Sequence, residues 1–122
     1  MIGKIITPFY DTRSSAMKFK SRPGLVIAGY GVLDNDYIVL PISTISDKRR
    51  RNQDYDIKIN PIDYPDCNLN KISYIRTHKQ VTINRKEIGG VICDFKNLYE
   101  DKYLEIISKL EQFDKEKVEY AL

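Results

Sequence analysis

Side chains that could act on a phosphate group lie near the ends of the apolar segments of this 122-residue chain. They are Arg22, Ser43, Thr44, Lys71, Ser73, Arg76, Thr77 and His78. Arg and Lys neutralise the negative charge that develops during phosphodiester cleavage, and Ser and Thr hydroxyls donate hydrogen bonds to the phosphate oxygens. RNA supplies its own nucleophile, the 2′-hydroxyl, so such a site needs no metal and no other cofactor. The residue types therefore predict phosphodiester chemistry on RNA.

Several other reaction classes lack their residues in this sequence. The chain has no P-loop, no His-Glu-x-x-His, no dinucleotide-binding glycine spacing and no Gly-x-Ser-x-Gly. It has one histidine and two cysteines, Cys67 and Cys93, whereas a structural zinc site needs four Cys or His ligands. A structural zinc site is thus excluded, and a catalytic metal or a cysteine nucleophile is disfavoured. We expect two free thiols in a reducing cytoplasm, with a disulfide between them left open.

Composition and charge indicate one globular domain with a basic body. Hydrophobic residues make up 42% and charged residues 30% of the chain, as in ordinary folded proteins. From Asp94 onward there are five Lys and eight acidic residues, which leaves 15 basic and 9 acidic groups of the chain's 20 and 17 in residues 1–93. We expect a single domain over 1–122, with a barrel in 1–93 and a helical segment in 94–122. A basic body favours polyanions as partners.

Targeting and membrane segments are not expected. No uncharged apolar run approaches the ~20 residues that a helix needs to cross a bilayer. The N-terminal residues have one Lys and a short apolar run that is broken by Pro8 and Asp11, which is unlike a signal peptide. We therefore expect a cytoplasmic protein.

The elements that must position these side chains are mostly short strands. Apolar runs bounded by turn residues predict six of them, at Ile2–Phe9, Leu25–Ala28, Tyr37–Ile42, Tyr55–Ile59, Ile72–Ile75 and Val81–Ile83. The second and third should form a hairpin through the turn residues 33–36. The segment Ile88–Cys93 fits either a last strand or a turn.

The C-terminal third has a different period. Apolar residues recur at three- and four-residue spacing from Tyr99 to Phe113, which predicts one face of a helix, with Asp94 or Asn97 as its cap. The predicted fold class is therefore mainly β, a small barrel of about six strands with a C-terminal α-helix.

Three sequence blocks, in order, resemble the MazF/PemK family of toxin ribonucleases. Residues Lys20–Ile27 (KSRPGLVI) are similar to the family's K-x-R-P-x-L-V-I opening. Residues Val39–Thr44 (VLPIST) resemble its second block, a strand that ends in proline, an apolar residue and Thr-Ser. Residues Tyr74–Thr77 (YIRT) resemble its third block, Q-[IP]-R-T. The similarity runs from about Gly3 to Phe113.

The resemblance implies a fold, an activity and partners. It implies an SH3-like barrel, usually a homodimer, that cuts single-stranded RNA such as mRNA without metal and is inhibited by an antitoxin. The expected products are a 2′,3′-cyclic phosphate and a 5′-hydroxyl. Residue by residue, Arg22 falls on the family's catalytic arginine, Ser43 on its catalytic threonine and Thr44 on the adjacent serine.

The sequence departs from the family at positions that concern proton transfer. Ser73 stands where family members often carry Asp or Glu, and Lys71 stands where one branch has Arg. That branch also uses a histidine in the first loop, whereas residues 11–21 contain none. His78 has the side chain best suited to proton transfer near neutral pH, so we take it as the fourth candidate catalytic residue.

Basic and polar residues around these positions are candidate RNA contacts. They are Lys18, Lys20, Lys48, Arg49, Lys71, Ser73 and Arg76. Each has a structural alternative. The basic run 48–51 fits a solvated loop, Arg76 and Arg22 fit ion pairs with carboxylates on neighbouring strands, and Ser43 and Thr44 fit a turn cap.

Two other functions remain open from the sequence. The first is a non-catalytic SH3-like barrel that binds protein or nucleic acid, which Ser73 in place of an acidic residue favours. The second keeps the fold but acts on DNA or a topoisomerase. The cleavage sequence cannot be read from the chain, because base preference depends on the shape of loops.

Overall fold

Seven strands and two helices make up the computed structural model, which describes residues 1–11, 20–29, 35–45 and 47–122. The strands are β1 (Ile5–Asp11), β2 (Lys20–Gly29), β3 (Asp36–Ser43), β4 (Asp56–Ile59), β5 (Ser73–Arg76), β6 (Val81–Asn84) and β7 (Gly90–Cys93). The helices are α1 (Phe95–Leu98) and α2 (Glu100–Ala121). Short 3₁₀ turns lie at Lys48–Arg50, Pro65–Cys67 and Arg85–Glu87. Lys18 and residues 30–34, which include part of the expected hairpin turn, lie outside the described residues.

The strands form one antiparallel sheet centred on β3. Their order is β4-β5-β3-β2-β1-β7, and β6 also pairs with β3. One edge of β3 bonds to β2, while the other bonds first to β6 and then to β5. In the described part of the chain, β4 and β7 are not paired with each other, so hydrogen bonds do not close the sheet into a ring. The mainly β class with a C-terminal helix is confirmed, and the segment 88–93 supplies a seventh strand.

Apolar side chains on both faces of the central strands account for their continuous apolar runs. Residues that alternate along a strand point to opposite faces, and here both faces are covered. Leu40 belongs to a large cluster with Phe95 and Ile106 from the helices, whereas Val39 belongs to a second cluster with Val81 of β6. All of these except Val81 are completely buried, and Val81 is nearly so. Strand β3 is therefore anchored from two sides.

The C-terminal helix packs the face that its spacing predicts. Tyr103 and Ile106 are buried, and Ile107 and Leu110 are partly buried against the larger cluster. The helical region begins with α1, within the expected segment 94–122, and is interrupted at Tyr99, whose φ of −135° and ψ of 60° are not helical.

Of the two predicted caps, Asp94 is confirmed in its position but makes no capping hydrogen bond, and Asn97 is wrong. Asp94 stands at the N-cap position of α1, but its side chain makes no capping hydrogen bond. Asn97 lies inside α1. Gly3, whose carbonyl accepts a hydrogen bond from the Lys96 amide at 2.9 Å, satisfies one of the free amides in place of a side chain.

Both cysteines are buried free thiols. Burial, followed by its interaction with Cys93, raises the pKa of Cys67 to about 12, and burial also raises the pKa of Cys93. Thiols with raised pKa values are poor nucleophiles at neutral pH. In the described ranges, no helix is both long and apolar enough to cross a bilayer.

Candidate active site

Arg22 and Ser43 meet because of the register between β2 and β3. Gly24 pairs with Pro41 at the end of this antiparallel ladder. Arg22 lies two residues before Gly24, and Ser43 lies two residues after Pro41. Arg22 Nη1 donates a hydrogen bond to Ser43 Oγ at 3.4 Å. Among the side chains that the structure describes, no carboxylate forms an ion pair with Arg22. Among the described side chains, the guanidinium thus contacts a hydroxyl rather than an anion.

A cleft of about 850 Å³ opens beside this pair. The structure brings six of the predicted residues to its walls, namely Arg22, Ser43, Thr44, Lys71, Ser73 and Arg76. Four further polar residues, which were not among the predicted site residues, also line it, namely Asp47, Arg50, Asn68 and Asn70. The cleft therefore has four cationic side chains and one carboxylate in its described lining.

The carboxylate of Asp47 is already engaged by the basic turn that follows it. Asp47 Oδ1 accepts a hydrogen bond from the Arg49 amide at 2.9 Å, and the Arg49 guanidinium lies 3.3 Å from the same carboxylate. The Arg49 amide, followed by the Arg49 side chain, lowers the pKa of Asp47. Asp47 is thus an anion whose charge is partly neutralised by a neighbour rather than a proton donor in the cleft.

The same turn decides which of its cations lines the cleft. Arg49 folds back on Asp47, and Lys48 is exposed and is not part of the cleft lining. Arg50 lines the cleft. Arg51 donates a hydrogen bond to the Tyr74 hydroxyl at 3.2 Å and lies over its ring. The sequence contains a signal for this arrangement, because Asp is a favoured N-cap residue and its carboxylate accepts a hydrogen bond from the amide two residues later. Here that amide belongs to Arg49.

Arg76 has both a structural partner and a place in the cleft. Its Nε donates to Asp56 Oδ1 at 3.0 Å and its Nη2 to Asp56 Oδ2 at 3.4 Å. Nη2 also lies 3.1 Å from the Arg50 carbonyl. The Asp56 side chain is fully buried, whereas that of Arg76 is 20% exposed. The ion pair expected as one alternative is therefore present, and it fixes the guanidinium at the cleft wall.

Ser73 and Lys71 differ in how freely they could reach a ligand. Ser73 is buried, and its hydroxyl donates to the Lys71 carbonyl at 3.0 Å. The Lys71 side chain is exposed. The serine at the position where the family has an acid is thus satisfied within its own turn. Lys20 lies on β2, which places its backbone two residues from Arg22.

His78 lines a second, smaller cavity of about 330 Å³, whose walls also include Arg22 and Arg76. Its side chain is 11% exposed and lies against the rings of Tyr55 and Phe113. Burial lowers the pKa of His78; Asp56 opposes this shift, and Arg76 and Lys79 add to it. The imidazole is therefore neutral at pH 7 and suited to accept a proton.

The fold is an antiparallel sheet with a C-terminal helix, and a basic cleft lies at the end of its central strand. The structure is similar to that of the Mycobacterium tuberculosis toxin MazF-mt6, with a TM-score of 0.64 and 16% identity, covering 90% of this chain and 96% of that one. It is also similar to an endoribonuclease solved in complex with its cognate antitoxin from a mycobacterial species, with a TM-score of 0.61 and 13% identity. This match covers 93% of this chain and 92% of that one. No protein-family model and no curated protein sequence matches the chain. The chain has a MazF-like fold.

Proposed function

We propose that this protein is a toxin endoribonuclease that cuts single-stranded RNA at short specific sequences without a metal cofactor. The observation that supports it best is the Arg22–Ser43 pair, which stands at the wall of a cleft with three further cations in its described lining. The fold supports the same proposal, because it is shared with a MazF toxin and with an endoribonuclease.

The proposed reaction uses the RNA's own nucleophile. The 2′-hydroxyl attacks the adjacent phosphorus, and the developing negative charge is stabilised by the Arg22 guanidinium and the hydroxyls of Ser43 and Thr44. Arg50, Lys71 and Arg76 hold the neighbouring phosphates. The products are a 2′,3′-cyclic phosphate and a 5′-hydroxyl.

An antitoxin and a second copy of the chain are the proposed partners. One solved structure with this fold contains an endoribonuclease bound to its cognate antitoxin. A basic cleft is suited to receive an acidic segment of such a partner as well as RNA. We also propose that the protein is a homodimer of single-domain subunits and acts in the cytoplasm, where its mRNA substrate is found.

Cleavage of a long single-stranded RNA in EDTA tests this function. We expect discrete cuts at a short recurring sequence, with 2′,3′-cyclic phosphate ends. Arg22→Ala should lower the rate by about 10²–10³-fold, because one preorganised charge-stabilising group is lost. Lys86→Ala is the matched control, since Lys86 is exposed and lines neither cavity.

Two results would contradict the proposal. Intact RNA in the presence of folded, antitoxin-free protein would exclude a ribonuclease that works without metal. Equal cleavage by the Arg22→Ala and Lys86→Ala variants would remove Arg22 from the site. A separate comparison tests the alternative of action on DNA: cyclic-phosphate products from RNA, with no cleavage of DNA, would exclude that alternative.

A non-catalytic barrel that binds protein or nucleic acid is the second candidate. One observation favours it: Ser73, in place of an acidic side chain, donates its only proton to the Lys71 carbonyl and is buried. Such a protein would bind single-stranded RNA in the cleft and leave it uncut. Binding without cleavage, in the same EDTA experiment, would favour this candidate.

A further inference from the structure

A buried carboxylate lies behind the two cavities and contacts residues of both. The Asp56 side chain has no exposed surface. Its oxygens accept hydrogen bonds from Arg76 and from the Asn52 amide, the latter at 2.7 Å. The remaining neighbour is His78, whose Nδ1 lies 3.7 Å from Asp56 Oδ1. Asp56 therefore touches one residue of the cleft and the only histidine of the chain.

The two nitrogens of His78 are in different situations. Nδ1 is buried and has no hydrogen-bond partner among the described residues. Buried polar nitrogens are rarely left unpaired. Asp56 Oδ1, an acceptor, lies 3.7 Å from Nδ1, which is longer than an ordinary N–H···O distance of about 3.0 Å. Catalytic hydrogen bonds are often long before substrate binds. A proton on Nδ1 would point to this carboxylate and leave the lone pair on Nε2.

His78 lies close enough to the proposed phosphate site at Arg22 to share a cavity with it. Both side chains line the cavity of about 330 Å³, and Arg76 lies between the two cavities because it lines each of them. An RNA phosphate held by Arg22 would thus lie beside a cavity that the His78 imidazole also lines. Ser73, whose hydroxyl donates to the Lys71 carbonyl, is not suited to this part, because a neutral hydroxyl is a far weaker base than an imidazole.

We propose that Asp56 is a positioning residue that holds His78 as its Nδ1–H tautomer, so that Nε2 accepts the proton of the attacking 2′-hydroxyl. This inference rests on the proposed ribonuclease function. The O2′–P bond forms as the proton moves to Nε2, and the P–O5′ bond breaks. The departing 5′-oxygen takes a proton from water, and Nε2 then returns its proton to solvent.

The groups around His78 determine the expected pH dependence. Asp56 raises its pKa, whereas burial, Arg76 and Lys79 lower it. Of the aromatic neighbours, Phe113 has no charge. Tyr55 is neutral near pH 7, as an ordinary tyrosine is, and its interaction with Glu116 raises its pKa further, to about 12. The base is active when neutral, so the rate should hold as the pH falls to about 6.5, the ordinary imidazole value, and decline only below it.

The tautomer can be measured directly, because the chain contains one histidine. In protein labelled with ¹⁵N-histidine, we expect NMR shifts of a protonated Nδ1 and an unprotonated Nε2 at pH 7.5. Asp56→Asn should mix the tautomers and move the His78 pKa further down, because the anion that stabilises the imidazolium is lost. Asp54→Asn is the control, since Asp54 is exposed in the same turn. A wild-type Nε2–H tautomer, or no change in Asp56→Asn, would overturn the proposal.

The Asp56→Asn variant also loses the charged partner of Arg76, so a second test leaves Asp56 unchanged. It measures the kinetics of a His78 variant. His78→Gln should lower kcat by about 100-fold or more with little change in KM, and should abolish the acidic limb of the pH–rate profile. An unchanged rate and profile in folded His78→Gln would overturn this inference while the ribonuclease itself stands. If the wild type cuts no RNA at any pH, the proposed function fails and the proton transfer fails with it.

Discussion

Arg76 and Lys71 line the same cleft but differ in what holds them. Arg76 is tied to a fully buried carboxylate by two hydrogen bonds, whereas Lys71 is exposed and has no ion pair among the described residues. Removing one member of a buried pair leaves the other charge without compensation, which is costly. The two residues should therefore respond very differently to truncation.

Stability measurements on Arg76→Ala and Lys71→Ala separate these roles. Arg76→Ala should lower the free energy of unfolding by about 3 kcal/mol, because Asp56 stays buried without its partner. Lys71→Ala should change it by less than about 0.5 kcal/mol, as expected of an exposed side chain. Urea denaturation of both variants measures the difference. Equal stabilities would mean that the ion pair contributes nothing to folding.

Single residues also show where sequence reasoning stopped short. Arg22 and Ser43 could be selected from their residue types and from the sequence blocks that carry them, and the pairing of β2 with β3 then brings them together. Asp56 could not, because the alternating segment Tyr55–Ile59 predicts outward polar residues. It is instead buried, since the β4–β5 register sets it opposite Arg76. The polar and apolar pattern of one strand does not show which charged side chain its neighbour in the sheet places opposite it.

At the scale of elements, the strands and the helix were predictable and their ends were not. Apolar runs marked the six predicted strands because their side chains fill two clusters on opposite faces of the sheet. Strand β2 extends to Lys20, five residues before its apolar run, because β1 pairs with it along that length. The break at Tyr99 has no marker in the period of the helix.

The contact between α2 and the sheet should carry much of the stability. Ile106 is completely buried in the larger cluster, whereas Leu104, two residues away on α2, is 54% exposed. Ile106→Ala should cost about 2–5 kcal/mol, because it removes a buried side chain and leaves a cavity. Leu104→Ala should cost under about 1 kcal/mol. Thermal or urea unfolding compares the two, and similar losses would contradict the packing described.

For the whole molecule, the uneven charge predicts how RNA binding depends on salt. In the described lining of the cleft there are four cations, namely Arg22, Arg50, Lys71 and Arg76. Each contact with a single-stranded phosphate adds about −0.7 to the slope of log K against log salt, so these four contacts together should contribute about −3. Lys71→Ala should weaken the slope by about 0.7, and Lys86→Ala should leave it unchanged. Anisotropy with a 2′-O-methyl RNA, which cannot be cut, measures it; equal slopes would exclude Lys71 from phosphate contact.

The place of β3 in the middle of the sheet has a consequence for motion. Its amides and carbonyls are bonded on both edges, and Val39 and Leu40 are completely buried. Backbone amides in such a strand exchange with deuterium last, near the rate of global unfolding, whereas exposed turns exchange early. Ser43 therefore lies at the end of the strand whose amides should exchange most slowly. Arg50 and Lys71 lie in turns whose amides should exchange faster. Substitutions in those turns should change which RNA sequences bind without destabilising strand β3.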